Sequence, residues 1–357
     1  MSHDDNLAVR VIRAPQGVPS PDDFVVDSAP IIAPADGEVV FRAVYLSIDP
    51  SARRRLPTPG AGPGPLGQVA RVGDVVLAGV VPPAAGLDGA LVGEVVESRH
   101  PDFRPGDLVR GGNSWQTYHT VPGALLDRLT TAPGFRLPMA LGVLGRPGFV
   151  AHCGLRHAAT VRPGSTVLVS AAGGAVGMAA GQIARLAGAR VVGIASGDKP
   201  AYVVDELGFD DCIDRTREDL AAGLDRTCPD GVDLYFDNVG GAVLDTVFDR
   251  FNDFGQLVVC GMAAEYNAAE AEYGPPLRPV LRKRLRIQGF VVYDHYVEFP
   301  EYHDWALLKI NERRLAYRED VSIGIESAPA ALADVLSGRN NGKKLVRIGP
   351  EPEILRA

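Results

Sequence analysis

Thr166–Ala195 reads TVLVSAAGGAVGMAAGQIARLAGARVVGIA, and this stretch decides the fold. Thr166–Ser170 is a short apolar run with β-branched residues, which predicts a buried strand. Arg190–Ala195 is a second such run, and an amphipathic helix is expected between the two. Together they form a βαβ unit of about 30 residues, the size of a dinucleotide-binding crossover. The turn between the first strand and the helix is Ala172-Gly173-Gly174-Ala175-Val176-Gly177, an A-x-G-x-x-G form of the dinucleotide fingerprint. Gly174 would let the backbone approach a pyrophosphate, and Gly177 would let helix and strand pack closely. The first N–H groups of the helix would then face the negative charge.

Outward from this unit the chain keeps alternating. A helix is expected at about Ala201–Leu207, a strand at Cys212–Asp214, a strand at Val232–Phe236, and a helix at Val243–Phe251. Strands follow at Gln256–Gly261 and Ile287–Val292. Such alternation implies a parallel sheet covered on both faces. Upstream the character is different. Opening strands before residue 36, a strand at Glu38–Ile48 and strands at Asp74–Val81, Ala90–Ser98 and Leu108–Arg110 predict a β-barrel-like first domain. Pro57–Gly67 holds four prolines and four glycines and reads as a loop. Ser51–Leu56, SARRRL, is either a solvated face or an anion or cofactor contact. After Pro300 a helical run to about Leu315, a helix at Ala328–Leu336 and a closing strand at Lys344–Ile348 are expected.

Length and composition narrow the class. The 357 residues suit about two domains, and 46% hydrophobic with 22% charged residues describe a globular protein. A net charge of −8 argues against a nucleic-acid or anionic-membrane surface. No apolar run reaches spanning length and the start lacks a signal-peptide core, so a cytoplasmic location is expected. Cys153, Cys212, Cys228 and Cys260 are scattered without a C-x-x-C pair, which speaks against structural zinc and against a disulfide framework. Cys260 is expected to be a buried thiol. Cys153 follows His152 directly, and adjacent side chains rarely point the same way, so a Cys–His nucleophile is not expected.

The second strand of the unit decides which dinucleotide. An NAD site has an acid at this tip to bind the ribose 2′-OH. Here Ala195 is followed by Ser196 and Gly197, which leaves room for a 2′-phosphate. Lys199 lies just beyond and Arg215 follows the next strand, so either would pair with a phosphate. Asp198 is the counter-signal, about 20 residues after the glycines. Three positions past the apolar run, it is expected to point elsewhere. NADP(H) is the expected cofactor.

These residues resemble the medium-chain dehydrogenase/reductase superfamily, in its zinc-independent branch of prostaglandin reductases and alkenal double-bond reductases. The matching segments are AVYLSIDP at Ala43–Pro50, LGVLGRPG at Leu141–Gly148, VLVSAAGGAVGMAAGQIAR at Val167–Arg185 and ELGFD at Glu206–Asp210. DLYFDNVGG at Asp233–Gly241, VVCGMAAEYN at Val258–Asn267, LRIQGF at Leu285–Phe290 and GRNNGKK at Gly338–Lys344 follow in family order. The resemblance implies an α/β protein with a GroES-like β-barrel catalytic domain over 1–130, completed by 306–357. A Rossmann domain, a doubly wound parallel sheet over 131–305, binds NADP(H). It implies hydride transfer to the β-carbon of an α,β-unsaturated carbonyl compound, without metal. The Gly-His-Glu motif and cysteine cluster of zinc-dependent relatives do not occur in this sequence.

Carried over by position, the resemblance assigns cofactor contacts to Gly174, Ala175, Val176, Gly177, Ser196, Gly197, Lys199 and Arg215. It adds Asn238, Cys260, Gly261, Phe290, Val291 and Asn340. Tyr266 matches a tyrosine at the nicotinamide ribose or substrate carbonyl, with a packed core tyrosine as its structural alternative. This chain departs from its family at Ser51, Arg146 and His152, which are therefore the substrate candidates. Arg146 would recognise a carboxylate or polar carbonyl, or would instead pair with a nearby acid in a rearranged loop. His152 is either a proton donor or a neutral packing residue. Pro200 stands in place of a lysine associated with the 2′-phosphate, and Lys199 is one position away. Quinone reduction, a specialised secondary-metabolism reductase and NADPH binding without turnover are the alternatives. Leu285–Val292 is a candidate edge strand for a homodimer.

Overall fold

The computed structural model describes residues 5–57, 74, 90–267 and 274–355. Except for Pro57 and Asp74, the expected strand over 74–81 and loop over 57–67 lie outside the described residues. In chain order β1 (Asp5–Val11), β2 (Phe24–Pro30), β3 (Glu38–Ser47), β4 (Leu91–Ser98), β5 (Leu108–Gly111), β6 (Tyr118–Pro122) and β7 (Asp127–Arg128) come first. Helix α1 (Arg146–His157) leads into β8 (Thr166–Ser170), α2 (Ala175–Leu186), β9 (Arg190–Ala195), α3 (Lys199–Asp205) and β10 (Asp211–Asp214). Then come α4 (Leu220–Thr227), β11 (Val232–Asp237), α5 (Gly241–Phe248), β12 (Phe251–Val259), α6 (Arg278–Lys283) and β13 (Arg286–Gly289). Helix α7 (Phe299–Asn311), β14 (Glu319–Ile323), α8 (Ala328–Leu336) and β15 (Lys343–Arg347) complete the chain.

Two compact units result. One comprises Met1–Leu141, Glu319–Asn340 and Lys344–Ala357, and the other Gly142–Arg318 with Asn341–Lys343. In the first unit, among the described residues, a seven-stranded sheet runs β14-β15-β3-β4-β5-β7 with β6 paired to β3. Strand β3 is antiparallel to β4, β6 and β15. Its core collects Val39, Phe41, Leu46, Leu91, Trp115 and Leu332. In the second unit, β10-β9-β8-β11-β12-β13 form a six-stranded parallel sheet. Strands β8, β9 and β11 are apolar and almost wholly buried, as expected when both faces are covered.

The units meet in sequence at 141/142 and 318/319, not at 130/131 and 305/306. The cause is packing. Leu137, Ala140 and Leu141 bury with Val44, Val92 and Leu345 of the first unit. Helix α7 instead packs on α1, and Gln182 of α2 holds the backbone of Ala316. Helix α5 ends at Phe248, where a helix to Phe251 was expected, because Phe251 starts β12 and joins Phe248 and Val247 in the core. Strand β13 stops at Gly289 rather than Val292, and Phe290 turns to pack against the core beside Gly154 of α1. SARRRL is a 3₁₀ turn, Pro50–Arg55, and Arg53 and Arg55 are buried, so a solvated face describes Arg54 alone. Arg53 Nε donates to the carbonyl of Gly17 at 3.1 Å. Among the described residues no helix is long and apolar enough to cross a membrane.

Candidate active site

The order of the parallel sheet places β8 and β11 side by side at its centre, with the chain leaving β8 toward one edge and β11 toward the other. That is a topological switch point, where open α/β sheets hold ligands beyond the carboxyl ends of their strands. Most of the candidates in this unit follow such an end. Residues 171–177 follow β8, Ser196–Lys199 follow β9, and Arg215 follows β10. Asn238 follows β11, Cys260 and Gly261 follow β12, and Phe290 and Val291 follow β13.

The glycine loop has a defined backbone. Ala171 adopts a left-handed conformation at φ 49°, and its carbonyl accepts from Gly174 N at 2.9 Å. The tight turn is therefore made at Ala171, while Ala172 is fully buried and donates from its N–H to Ile194 O at 3.0 Å. Gly174 is the N-cap of α2, so Ala175, Val176 and Gly177 form its first turn, whose N–H groups have no partner within the helix. At Gly177 a β-carbon would stand 2.3 Å from Ala171 O and 2.9 Å from Ala172 Cα, which makes glycine obligatory for this close approach. The loop thus presents backbone donors and the positive end of a 12-residue helix dipole.

Beyond β9, Ser196 is buried and Gly197 is left-handed at φ 67°. The N–H of Gly197 lies 3.4 Å from Thr216 Oγ1, and Arg215 N donates to Ala195 O at 3.1 Å. These bonds place Arg215, exposed, beside the tip of β9. Lys199 opens α3, and its stem lies over the glycine loop: a β-carbon on Gly173 would meet Lys199 Cδ at 3.0 Å. Asp198 points outward, nearly fully exposed, 3.7 Å from Arg217. Asp214 is turned inward to Thr216. Although desolvation raises its pKa, two hydrogen bonds from Thr216 hold the carboxyl below its ordinary range.

Asp237 is the hub of the centre. This fully buried carboxylate ends β11 and accepts from Ser170 Oγ at 3.0 Å, Tyr235 OH at 2.8 Å, Val239 N at 2.9 Å and Gly240 N at 3.0 Å. Asn238 N donates to Ser170 Oγ, and Asn238 Nδ2 to Ser170 O, each at 2.8 Å. The Asn238 side chain is thereby locked against the end of β8. Cys260 N and Gly261 N donate to Asp237 O at 2.9 and 3.0 Å. Cys260 is half-buried, and burial pushes its thiol up to about 12, so it remains protonated and unreactive near neutrality. Tyr266, half-buried, belongs to the 3₁₀ turn Ala263–Asn267. That turn is strapped to the Asn238 loop by Ala263 N to Asn238 O and Ala264 N to Val239 O at 3.3 and 3.0 Å. Phe290 packs inward, whereas Val291 is exposed.

Arg146 is the first residue of α1, after an N-cap glycine that offers no side-chain cap. The N-terminus of α1 is the positive end of its helix dipole. His152 lies further along α1 among aromatic rings, with centroids 5.2 Å from Tyr302, 6.0 Å from Trp305 and 6.3 Å from Phe149. Burial first, and then the Arg156 charge, lower its pKa, so it stays neutral. Cys153 is buried, and its thiol is pushed up to about 12 by burial and by Glu298, in keeping with an inert residue. Ser51 and Asn340 belong to the other unit.

Among the described residues one trio of metal-ligating types converges: His157, His295 and Glu298. The two imidazoles are stacked at 3.7 Å and 1°, so no ion can lie in the plane of both. Glu298 is also taken by Arg156 Nε at 3.2 Å. In this geometry the trio is an ion-pair cluster joining α1 to the start of α7.

Reading the sequence did not single out Ser170, Asp237, Gln182 or Gly342. The available signal was a polar residue closing a buried apolar strand, in VLVS and in LYFD.

Known proteins resemble this chain over nearly its full length. A family model described as the N-terminal domain of oxidoreductase matches residues 8–129, and one described as zinc-binding dehydrogenase matches 175–307. The chain is 38% identical over 345 residues to the NADPH-dependent curcumin reductase of Escherichia coli strain K12, covering 94% of each chain. It is 35% identical to the NADP(+)-dependent 2-alkenal reductase of Nicotiana tabacum, covering 94% of this chain and 95% of that one. The solved structure of CurA from Vibrio vulnificus in complex with NADPH superposes with a TM-score of 0.85 at 33% identity, covering 97% and 100% of the two chains. With both family models matched in order and relatives alike over nearly the full length, the chain belongs to the medium-chain dehydrogenase/reductase superfamily, in its zinc-independent prostaglandin reductase and alkenal reductase branch.

Proposed function

We propose that this protein is an NADPH-dependent reductase of the carbon–carbon double bond in α,β-unsaturated carbonyl compounds. The observation that carries the reading is the glycine loop at the switch point of the sheet, followed by a β9 tip with no acid. The relatives named for NADP-dependent curcumin and 2-alkenal reduction support the substrate class. The residues fit the cofactor. The first turn of α2 would take the pyrophosphate, and Ser196, Gly197, Lys199 and Arg215 the 2′-phosphate. Asn238, Cys260, Gly261, Tyr266, Phe290, Val291 and Asn340 would line the rest.

When bound, NADPH supplies the hydride that adds to the substrate β-carbon. The electron pair of the double bond then moves onto the carbonyl oxygen, which needs a hydrogen-bond donor. Tyr266 O–H is that donor in our reading, and the α-carbon takes a proton from Tyr266 or from water. Ser51 and Arg146 would select the acceptor. His152, neutral among aromatic rings, would shape the wall rather than donate a proton. Arg146, at the start of α1, would recognise a carboxylate or polar carbonyl of the acceptor, with preference for a carboxylate. An acidic enone and its methyl ester that react equally well would remove that preference.

A panel of enals, enones and quinones, scored by loss of NADPH absorbance, tests the function. Turnover of enals and enones supports it; turnover of quinones alone, or tight NADPH binding without turnover, overturns it.

We further infer a cytoplasmic homodimer. The four cysteines are free thiols, which suits a reducing compartment. Strand β13 ends the parallel sheet with all its residues exposed, and Leu277, Leu281 and Val291, close to it in sequence, are exposed as well. An apolar edge of this kind is protected by pairing across a two-fold axis. Ile287→Asp with Leu281→Asp should yield monomers in sedimentation; unchanged mass removes this edge as the interface.

A further inference from the structure

Gln182, in the middle of α2, is a buried polar side chain whose amide is fully engaged. Its Nε2 donates to Met178 O at 2.8 Å and to Ala316 O at 2.9 Å, while its Oε1 accepts from Ala316 N at 2.7 Å. The last two bonds clamp both backbone groups of Ala316, 134 residues away, onto the cofactor helix. Two residues on, Arg318 O accepts from Lys343 N at 2.8 Å, and Gly342 N donates to Gly173 O at 3.2 Å. Gly342 is left-handed at φ 95°, and a β-carbon there would strike Arg318 O at 2.4 Å. The circuit closes on itself: α2, Ala316–Arg318, Gly342–Lys343, and back to the loop that precedes α2.

We propose that Gln182 is a positioning residue for the dinucleotide loop, acting through Ala316–Arg318 to seat the Gly342 N–H on the carbonyl of Gly173. The physical need is the direction of that carbonyl. A carbonyl oxygen facing a pyrophosphate would repel it, and within this loop only N–H groups should face the anion. Gly342 engages the Gly173 oxygen, while the stem of Lys199 lies against Gly173. Loosening Ala316 frees Gly342, lets the Gly173 peptide turn, and moves the support beneath Lys199. The proposal rests on the dinucleotide reading of the loop.

Gln182→Met keeps length and packing and removes all three side-chain hydrogen bonds. Gly342→Ala breaks the other end of the circuit. Thr227→Val is the control: it deletes a hydrogen bond of a fully buried side chain, Thr227 Oγ1 to Gly223 O at 2.8 Å, away from the loop. Gln182→Met and Gly342→Ala should each raise the Kd of NADPH by about tenfold. The double variant should be no weaker than the weaker single, since both act along one path. At saturating NADPH, kcat should stay within about twofold of the parent. Thr227→Val should lower the melting temperature and leave Kd unchanged. A Kd unchanged in Gln182→Met, additive effects in the double variant, or equal weakening by Thr227→Val overturns the proposal. If the parent fails to bind NADPH, the functional reading falls instead. Amide hydrogen exchange over residues 171–177 then decides the clamp: faster exchange in Gln182→Met but not in Thr227→Val supports it, and equal exchange overturns it.

Discussion

Ser170 Oγ donates to Asp237 Oδ1 at 3.0 Å, joining the ends of the two central strands of the parallel sheet across 67 residues of sequence. The same oxygen of Asp237 accepts from Tyr235 and two backbone N–H groups, so the Asn238–Gly240 turn is held by one buried carboxylate. Ser170→Ala should cost about 1–3 kcal/mol by orphaning buried partners, and should raise the KM for NADPH as Asn238 loosens. Asp237→Ala, which strips an acceptor from several donors at once, should cost more, and Asp237→Asn less because it keeps Oδ1. Urea unfolding and NADPH titration of the three variants test this ranking.

Tyr266 sits on a turn strapped by two backbone hydrogen bonds to the Asn238 loop. Removing its hydroxyl takes away the proposed donor and leaves the turn in place. Tyr266→Phe should therefore lower kcat on an enal with little change in the Kd of NADPH. Unchanged kcat would take Tyr266 out of the chemistry.

Lys199 and Arg215 flank a β9 tip without an acid. A hydrogen bond to a charged group contributes about 1.5–3 kcal/mol. Lys199→Ala and Arg215→Ala should thus each reduce the preference for NADPH over NADH by about 10- to 100-fold. The KM for NADH should barely move. Parallel steady-state kinetics with the two cofactors provide the check.

His119 is buried in the first unit with its ring stacked on Phe41 at 4.8 Å. Burial pushes its pKa down to about 4, outweighing the hydrogen bond to Gln116 O that acts the other way. The folded protein therefore binds this proton less readily than the unfolded chain does. The stabilisation is present above the unfolded value of 6.5 and is lost as pH falls from there toward 4. The loss from this group should be about 2 kcal/mol between pH 7 and pH 5. Unfolding measured at both pH values should show a smaller drop in His119→Asn than in the parent.

Much of the second unit was legible from sequence, because buried parallel strands are continuous apolar runs and the helices between them are amphipathic. The glycine turn announced itself through its position between strand and helix. Element ends were less legible: Phe251 reads as the last turn of a helix but starts a strand, because its ring is needed in the core beside Phe248. Arg53 and Arg55 read as either a solvated face or an anion contact, and the 3₁₀ turn buries them with Ala52 and Leu56, which excludes the first for both. Periodicity at that length does not reveal which side faces the core.

By itself the sequence determined the βαβ unit at Thr166–Ala195, the neutral residues Ala195–Gly197 at the tip of its second strand, and the family, since each depends on short segments of adjacent residues. Tertiary structure alone decided how that unit is completed. Strand order brings Asp237 to Ser170, and packing of α7 on α1 keeps residues up to Arg318 in the second unit. Gln182 then reaches Ala316, and Gly342 reaches the glycine loop. Contacts between residues so far apart are set by which surfaces the core buries, and local propensity carries no information about them.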